Sequence, residues 1–434
     1  HRPARRGGRR VTGALTVAFG VVFFLAIMAC VALHEVGHLL PAKLFGVRVP
    51  QYFVGFGKTL WSTRRGDTEY GVKLFPLGGY VRLLGMYPPR RPGARDTRLQ
   101  RFADEARELE WEDIRPDDAG RLFYERPTGQ KLVMMAGGIT MNLLLAFALF
   151  WGVAGLHGNY RSQPTIAYVA PCVLPAGAQQ CAVSDPPTPA AQAGLRKGDT
   201  VVEFNGIPIV SYAQLSGLIR ANLDGEARLV VVRDGVRTAL TPVHTMIGTV
   251  RDTLDPSKTV QAGWLGVSPT VALTKEGPVE VLGDMRDLTA QSLVALVQLP
   301  IKTYNVVADM VAGKPRDVNG PISVVGASAV AGEIATSDES VGDKAAMFAT
   351  LLASLNLFLA IFNLVPLPPL DGGHIAGALY EGARRALARL RGRPDPGPAD
   401  TAKLVPVAYA VGGLLLLMGV VLILADIVSP VKIF

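Results

Sequence analysis

Four stretches of the chain are almost uninterrupted in apolar side chains: Val11–Phe45, Lys131–Leu156, Lys344–Val365 and Leu404–Val428. Each holds about twenty apolar residues, the number a helix needs to cross roughly 30 Å of hydrocarbon. The pattern predicts four membrane-spanning helices. It changes character between them. Residues 49–85 place aromatic and β-branched side chains on both sides of Arg65-Gly66-Asp67, which predicts a β-hairpin. Gly55, Gly57, Gly78 and Gly79 within it permit close approach of another backbone. Residues 88–126 are rich in Arg, Asp, Glu and Pro and predict a loop with one helix, Leu99–Trp111. A compact unit is expected over about 163–247, built around A-G-L-R-K-G-D-T-V-V-E-F-N-G at 193–206. That run reads as a helix-to-strand corner, a Gly-Asp turn, a buried strand and an Asn-Gly turn. A helix, Tyr212–Asn222, and two short strands around Arg233-Asp234-Gly235 follow it. Residues 248–343 carry no comparable signature, although Val279–Val311 has the periodicity of a helix lying along a membrane surface.

The predicted order is therefore a first span at 11–45, a loop with a hairpin at 46–131 and a second span at 132–157. The compact unit (163–247) and a juxtamembrane region (248–343) come next. A third span with its continuation fills 344–375, a loop 376–403 and a fourth span 404–428. Composition agrees, with 49% hydrophobic and only 18% charged residues in 434. A cleaved signal peptide is the other reading of an apolar run that follows arginines, but this run is too long for one and lacks an A-x-A site. The chain starts at His1 rather than Met, so the true N-terminus can differ.

Charge bears on orientation, and its signals disagree. The first ten residues carry five Arg and no acid, whereas residues 157–344 hold 15 basic against 18 acidic residues. Residues 46–130 hold 15 against 12, and 376–403 hold 6 against 3. Two loops outvote one short tail, which puts 46–130 and 376–403 in the cytoplasm and both termini and the long loop outside. The net charge of +8 lies mostly in the tail and the membrane-flanking loops, so it points to anionic headgroups of the lipid bilayer and to no nucleic-acid partner. Cys30 reads as a small buried hydrophobe. Cys172 and Cys181 in the long loop would suit a disulfide in an oxidising exterior, with two free thiols as the other reading.

Chemistry enters in the first span. His34, Glu35 and His38 form H-E-x-x-H, and the ten residues 23–32, separated from it by Leu33, have no charged side chain. On a helix the two histidines share a face and can reach one Zn²⁺, while Glu35 can serve as general base. Ionisable groups in a span are costly and default to function. A catalytic zinc usually has three protein ligands, and the third span supplies a candidate. Its run N-L-V-P-L-P-P-L-D-G-G (363–373) contains Pro366, Pro368 and Pro369, which must end the helix. Asp371 follows that break, and an irregular backbone at membrane depth is tolerated where protein buries it. His374 reads as a neighbour of the site or a solvated residue, and His157 and His244 as unrelated to it. Asn142, Asn356 and Asn363 are polar groups able to satisfy freed backbone, or else helix–helix hydrogen-bonding residues.

H-E-x-x-H in a first span, P-L-G-G-Y-V-R after a hairpin, the A-G-L-x-x-G-D-x-V unit and N-x-x-P-x-P-x-L-D-G-G together resemble the site-2 proteases, intramembrane zinc metalloproteases. The similarity is to the regulator-of-sigma-E protease branch and its actinobacterial members, and it covers about Val11 to Phe434. The compact unit likewise resembles a bacterial PDZ domain. The resemblance implies a polytopic α-helical membrane protein of about four spans with a membrane-associated, re-entrant hairpin and an inserted extracytoplasmic PDZ domain, in a bacterial cell membrane. It implies zinc held by His34, His38 and Asp371, water activated by Glu35, and substrate contacts from Asn142, Asn363, Gly78 and Gly79. Substrates would be single-span membrane proteins, notably anti-sigma factors after a first external cut; the PDZ ligand stays open. The family's G-P-x-x-N is G138-I-T-M-N142 here, with Ile139 in place of Pro. A membrane zinc protease acting on soluble tails and a non-catalytic PDZ scaffold are the rival readings. The first normally takes a downstream Glu as third ligand, and the second would not need Glu35.

Overall fold

The computed structural model describes residues 5–90, 93, 96–174, 180–252, 258–318 and 320–431. The first four residues of the Arg-rich tail and the last three of the chain lie outside them. The chain opens with α1 (Arg5–Leu44), the hairpin strands β1 (Gln51–Arg65) and β2 (Thr68–Arg82), α2 (Arg98–Trp111) and α3 (Thr128–Gly152). There follow β3 (Asn159–Val169), α4 (Pro189–Ala193), β4 (Thr200–Phe204), β5 (Ile207–Pro208), α5 (Tyr212–Ala221), β6 (Glu226–Ala227), β7 (Leu229–Arg233), β8 (Val236–Ala239) and β9 (Val243–His244). Three strands complete this part: β10 (Met246–Arg251), β11 (Thr259–Trp264) and β12 (Val267–Thr274). The remainder is helical: α6 (Pro278–Val311), α7 (Val324–Thr336), α8 (Val341–Asn363), α9 (Asp371–Leu390) and α10 (Val405–Val428). Two compact units emerge, one from residues 1–152 with 279–434, the other from Val153–Pro278.

Among the described residues four helices are long and apolar enough to cross a membrane, over Gly13–Leu44, Thr128–His157, Val341–Asn363 and Thr401–Val428. α1 shows why its sequence is apolar all round. Phe23, Ile27 and Cys30 are buried against α7 and α8, while Leu15, Val17, Val21 and Leu25 point outward, as lipid-facing residues must. Small residues let α7 approach: a Cβ on Gly20 would lie 2.9 Å from the Ser328 carbonyl oxygen, and one on Gly332 2.4 Å from that of Thr16. α1 ends where Gly46 adopts a φ of 74°, a conformation that costs glycine little.

β1 and β2 pair antiparallel through the Gly66-Asp67 turn, with several register shifts. The hairpin is fastened to α1 by the Tyr52 hydroxyl, which donates to the Ala32 carbonyl at 2.8 Å. Beyond it, the buried Arg48–Asp118 pair (2.5 Å) and the Glu110 carboxylate, which accepts the Met86 and Tyr87 N–H groups, hold the polar 83–126 segment in place.

The second unit is an antiparallel sheet in the order β12-β3-β4-β7-β8, with β5 on β4. Ile166, Leu195, Val201, Phe204, Leu215, Leu229 and Val231 form its core. The compact unit expected at 163–247 lies within a larger one, Val153–Pro278. β12 pairs with β3 along Val267–Thr274, and β10 pairs with β11, so long-range pairing invisible to local pattern extends this unit to Pro278. Cys172 and Cys181 are disulfide-bonded. In the A-G-L-R-K-G-D run, α4 stops at Gly194, and Asp199 accepts the Arg196 N–H and pairs with Arg233 at 2.7 Å.

Burial would raise the Asp199 carboxyl, but the Arg233 guanidinium and the Arg196 N–H outweigh it and hold it below the usual carboxylate range. A lowered carboxylate contributes its full stability above its unfolded value of about 3.9, and loses it as pH falls through the folded value. Arg233→Ala should therefore reduce amide protection of residues 196–205 at neutral pH, with the difference from wild type closing below about pH 4. Hydrogen exchange on the full-length protein reads this, and a pH-independent difference would contradict it.

Candidate metal centre

H-E-x-x-H lies in the last three turns of α1, so His34 and His38 fall one turn apart on one face. Their Nε2 atoms are 3.2 Å apart. Asp371 arrives from the far end of the chain. α8 stops at Asn363, residues 364–370 fold back through Pro366, Pro368 and Pro369, and α9 begins with Asp371 itself. Gly372 and Gly373 make that fold-back possible. A Cβ on Gly372 would lie 2.3 Å from the Val365 carbonyl oxygen, and one on Gly373 2.5 Å from the Pro368 nitrogen. The carboxylate also sits at the N-terminus of its helix, where the dipole favours negative charge. Asp371 Oδ2 lies 3.3 Å from each Nε2.

Three ligand-type atoms thus form a nearly equilateral triangle of 3.2–3.3 Å edges. Tetrahedral zinc with bonds of about 2.0–2.1 Å separates its ligand atoms by about 3.3–3.4 Å. The hydrogen bonding agrees. His38 Nδ1 donates to the Met134 carbonyl at 2.8 Å, which leaves Nε2 of a neutral ring with its lone pair toward the triangle. His34 and His38 side chains are 11% and 5% exposed and Asp371 19%, so the three groups are largely shielded from solvent. The residues present fit a zinc ion.

Glu35 lies beside this triangle and accepts a hydrogen bond from the Val81 N–H. The hairpin passes directly over it: a Cβ on Gly79 would lie 3.2 Å from Glu35 Cγ. Gly78 faces the Phe56 ring instead. Asn142, one turn beyond Gly138 on α3, is 2% exposed, and its Oδ1 has no hydrogen-bond partner among the described residues. Asn363 ends α8 and is half-buried. Asn356 is buried and donates to Cys30 Sγ and the Leu352 carbonyl, the helix-packing alternative. His374 lines a small cavity with Lys131 and Glu381, and His157 and His244 belong to the second unit.

Sequence reading missed what three glycines, Gly37, Gly137 and the motif residue Gly138, do in assembling the site. A Cβ on Gly137 would lie 1.9 Å from the Gly37 carbonyl oxygen, so α1 and α3 cross with backbones in contact. One on Gly138 would lie 2.3 Å from His38 Nε2 and 2.7 Å from His34 Nε2. The signal was available: Gly37 stands between the two histidines, and Gly137-Gly138 interrupts an otherwise bulky span.

Four helices apolar enough to span a membrane and a His-His-Asp cluster beside a glutamate are the parts a membrane metallopeptidase needs. The profile of Peptidase family M50 matches residues 22–393. The chain is 37% identical over 439 residues to the zinc metalloprotease Rip1 of Mycobacterium tuberculosis, covering 95% of this chain and 98% of the relative. It is 34% identical over 435 residues, with coverage of 95% and 98%, to the zinc metalloprotease Rip1 of Mycolicibacterium smegmatis. The chain belongs to Peptidase family M50, the site-2 proteases, and is a zinc metalloprotease of the membrane.

Proposed function

We propose that this protein hydrolyses peptide bonds within or beside the transmembrane segment of single-span membrane proteins, using zinc held by His34, His38 and Asp371 with Glu35 as general base. The observation that carries the proposal is the 3.2–3.3 Å triangle of Nε2, Nε2 and Oδ2, formed among helices apolar enough to span a membrane. Zinc, when bound, supplies Lewis acidity toward a carbonyl oxygen and a water molecule. Glu35, oriented by the Val81 N–H, takes the proton of the attacking water and returns it to the departing amide nitrogen.

A helical substrate hides its carbonyls in i→i−4 hydrogen bonds and must unwind first. Strand addition to the hairpin offers the replacement hydrogen bonds, and Gly79 beside Glu35 lets an extended backbone pass close to the base, with Gly78 next to it. The unpartnered Oδ1 of Asn142 supports a role in accepting a substrate N–H, and Asn363 is its counterpart from α8. The second unit acts as an extracytoplasmic PDZ domain that selects substrates, either by a newly cut carboxyl terminus or by excluding bulky external domains. Anti-sigma factors trimmed outside a bacterial cell membrane are the substrate class that fits both.

Asp371→Ala tests the ligand assignment. Purified protein should fall from about one zinc per chain to a small fraction of that by metal analysis, because two histidines alone hold zinc weakly. Unchanged zinc content would exclude Asp371.

A further inference from the structure

We infer that the buried Lys131–Glu381 ion pair positions the metal site by setting where α9 holds Asp371; this rests on the reading of Asp371 as a zinc ligand. Lys131 lies in the first turn of α3 and Glu381 midway along α9, 250 residues away in the chain. The Lys131 ammonium donates to both carboxylate oxygens at 2.8 and 2.9 Å, and the two side chains are 3% and 4% exposed. The Ala399 N–H adds a third bond to the carboxylate at 2.9 Å, and Arg385 lies 3.3 Å from it.

Two helices connect this pair to the site. Ten residues, about 15 Å of helix, separate Glu381 from Asp371 on α9. Seven residues along α3, Gly138 packs on the two imidazoles. Joining α3 to α9 at Lys131–Glu381 therefore sets the carboxylate of Asp371 relative to His34 and His38. Among the described residues the Asp371 Oδ2 has no hydrogen-bond partner and meets the two imidazoles at 3.3 Å, and Gly372 and Gly373 pack on the backbone of residues 364–368, none of which ties α9 to α3. Apolar packing is non-directional and would let α9 slide along α3. An ammonium bridging both oxygens of a carboxylate that also takes the Ala399 N–H admits one register.

The test measures zinc affinity by chelator competition, and the d–d spectrum after cobalt substitution, on the full chain in detergent. Lys131→Met leaves Glu381 with Arg385 and the Ala399 N–H, so its carboxylate is not stranded. Zinc affinity should fall about 10–100-fold, the range for groups that orient ligands from outside the ligand set, and the cobalt spectrum should shift. Lys131→Arg, which keeps the charge and the reach, should restore both. Glu381→Gln removes the charge while keeping the shape and should show the same loss, so it decides the matter if Lys131→Met does not fold. Wild-type affinity and spectrum in either folded variant overturn the inference, as does Lys131→Arg behaving like Lys131→Met. Asp371→Ala, run beside them, separates the two ideas. Zinc lost there and kept in Lys131→Met overturns the positioning role alone, whereas zinc kept in Asp371→Ala overturns the ligand reading beneath it.

Discussion

Glu35→Gln is expected to abolish cleavage of a purified single-span substrate, with a loss of at least about 10³-fold, while zinc stays bound at wild-type stoichiometry. Glutamine keeps the length of the side chain and can still accept the Val81 N–H through its carbonyl oxygen. It cannot take a proton at neutral pH, and a positioned general base contributes about 10²–10⁴-fold. Removing the base while leaving His34, His38 and Asp371 intact separates chemistry from metal binding. Single-turnover cleavage in detergent or proteoliposomes, together with metal analysis of the same sample, gives both readings. Cleavage at the wild-type rate would remove Glu35 from the mechanism. Loss of zinc along with activity would make Glu35 a structural member of the site.

Gly138→Ala should be nearly as damaging by a different route. The new methyl would sit 2.3 Å from His38 Nε2 and 2.7 Å from His34 Nε2, on the atoms that form the metal triangle. α3 cannot back away easily, because Gly137 next to it already touches the Gly37 carbonyl oxygen across the helix crossing. Zinc affinity is therefore expected to fall by more than about 10²-fold, with activity following. Alanine raises helix propensity by about 1 kcal/mol over glycine, so helix content should survive while metal is lost. Gly129→Ala is the control: it lies on the same helix with nothing within 4 Å of its Cβ position, and should leave zinc binding unchanged. Wild-type affinity in Gly138→Ala would mean that the helix crossing is looser than the structure shows.

Much of the architecture was readable because membranes impose simple rules. Apolar runs of about twenty residues have few alternatives to a spanning helix, and α1, α3, α8 and α10 occupy the four stretches that hydropathy picked out. Their ends moved by a few residues, since local caps rather than hydropathy decide where a helix stops. α7 was not foreseen. Its thirteen residues are too short to span, and its Gly, Ala and Ser content carries meaning only once α1 packs against it. Turn chemistry at 193–206 marks only part of the second unit, whereas β12 joins its sheet through β3, about a hundred residues earlier.

The sequence by itself determined which groups could do the chemistry. H-E-x-x-H is local, set by one helical turn, and Asp371 is marked by the proline break that precedes it. Only the tertiary structure decided that these groups meet, and at what spacing. Asp371 lies 333 residues beyond His38, yet its Oδ2 is 3.3 Å from both imidazoles. That spacing depends on the contact of Gly37 with Gly137, the crowding of Gly138 against the histidines, and a lysine and glutamate paired across 250 residues. A glycine shows in sequence only that a side chain is missing. What fills the space is a property of the neighbouring helix, and periodicity within one segment holds no information about it.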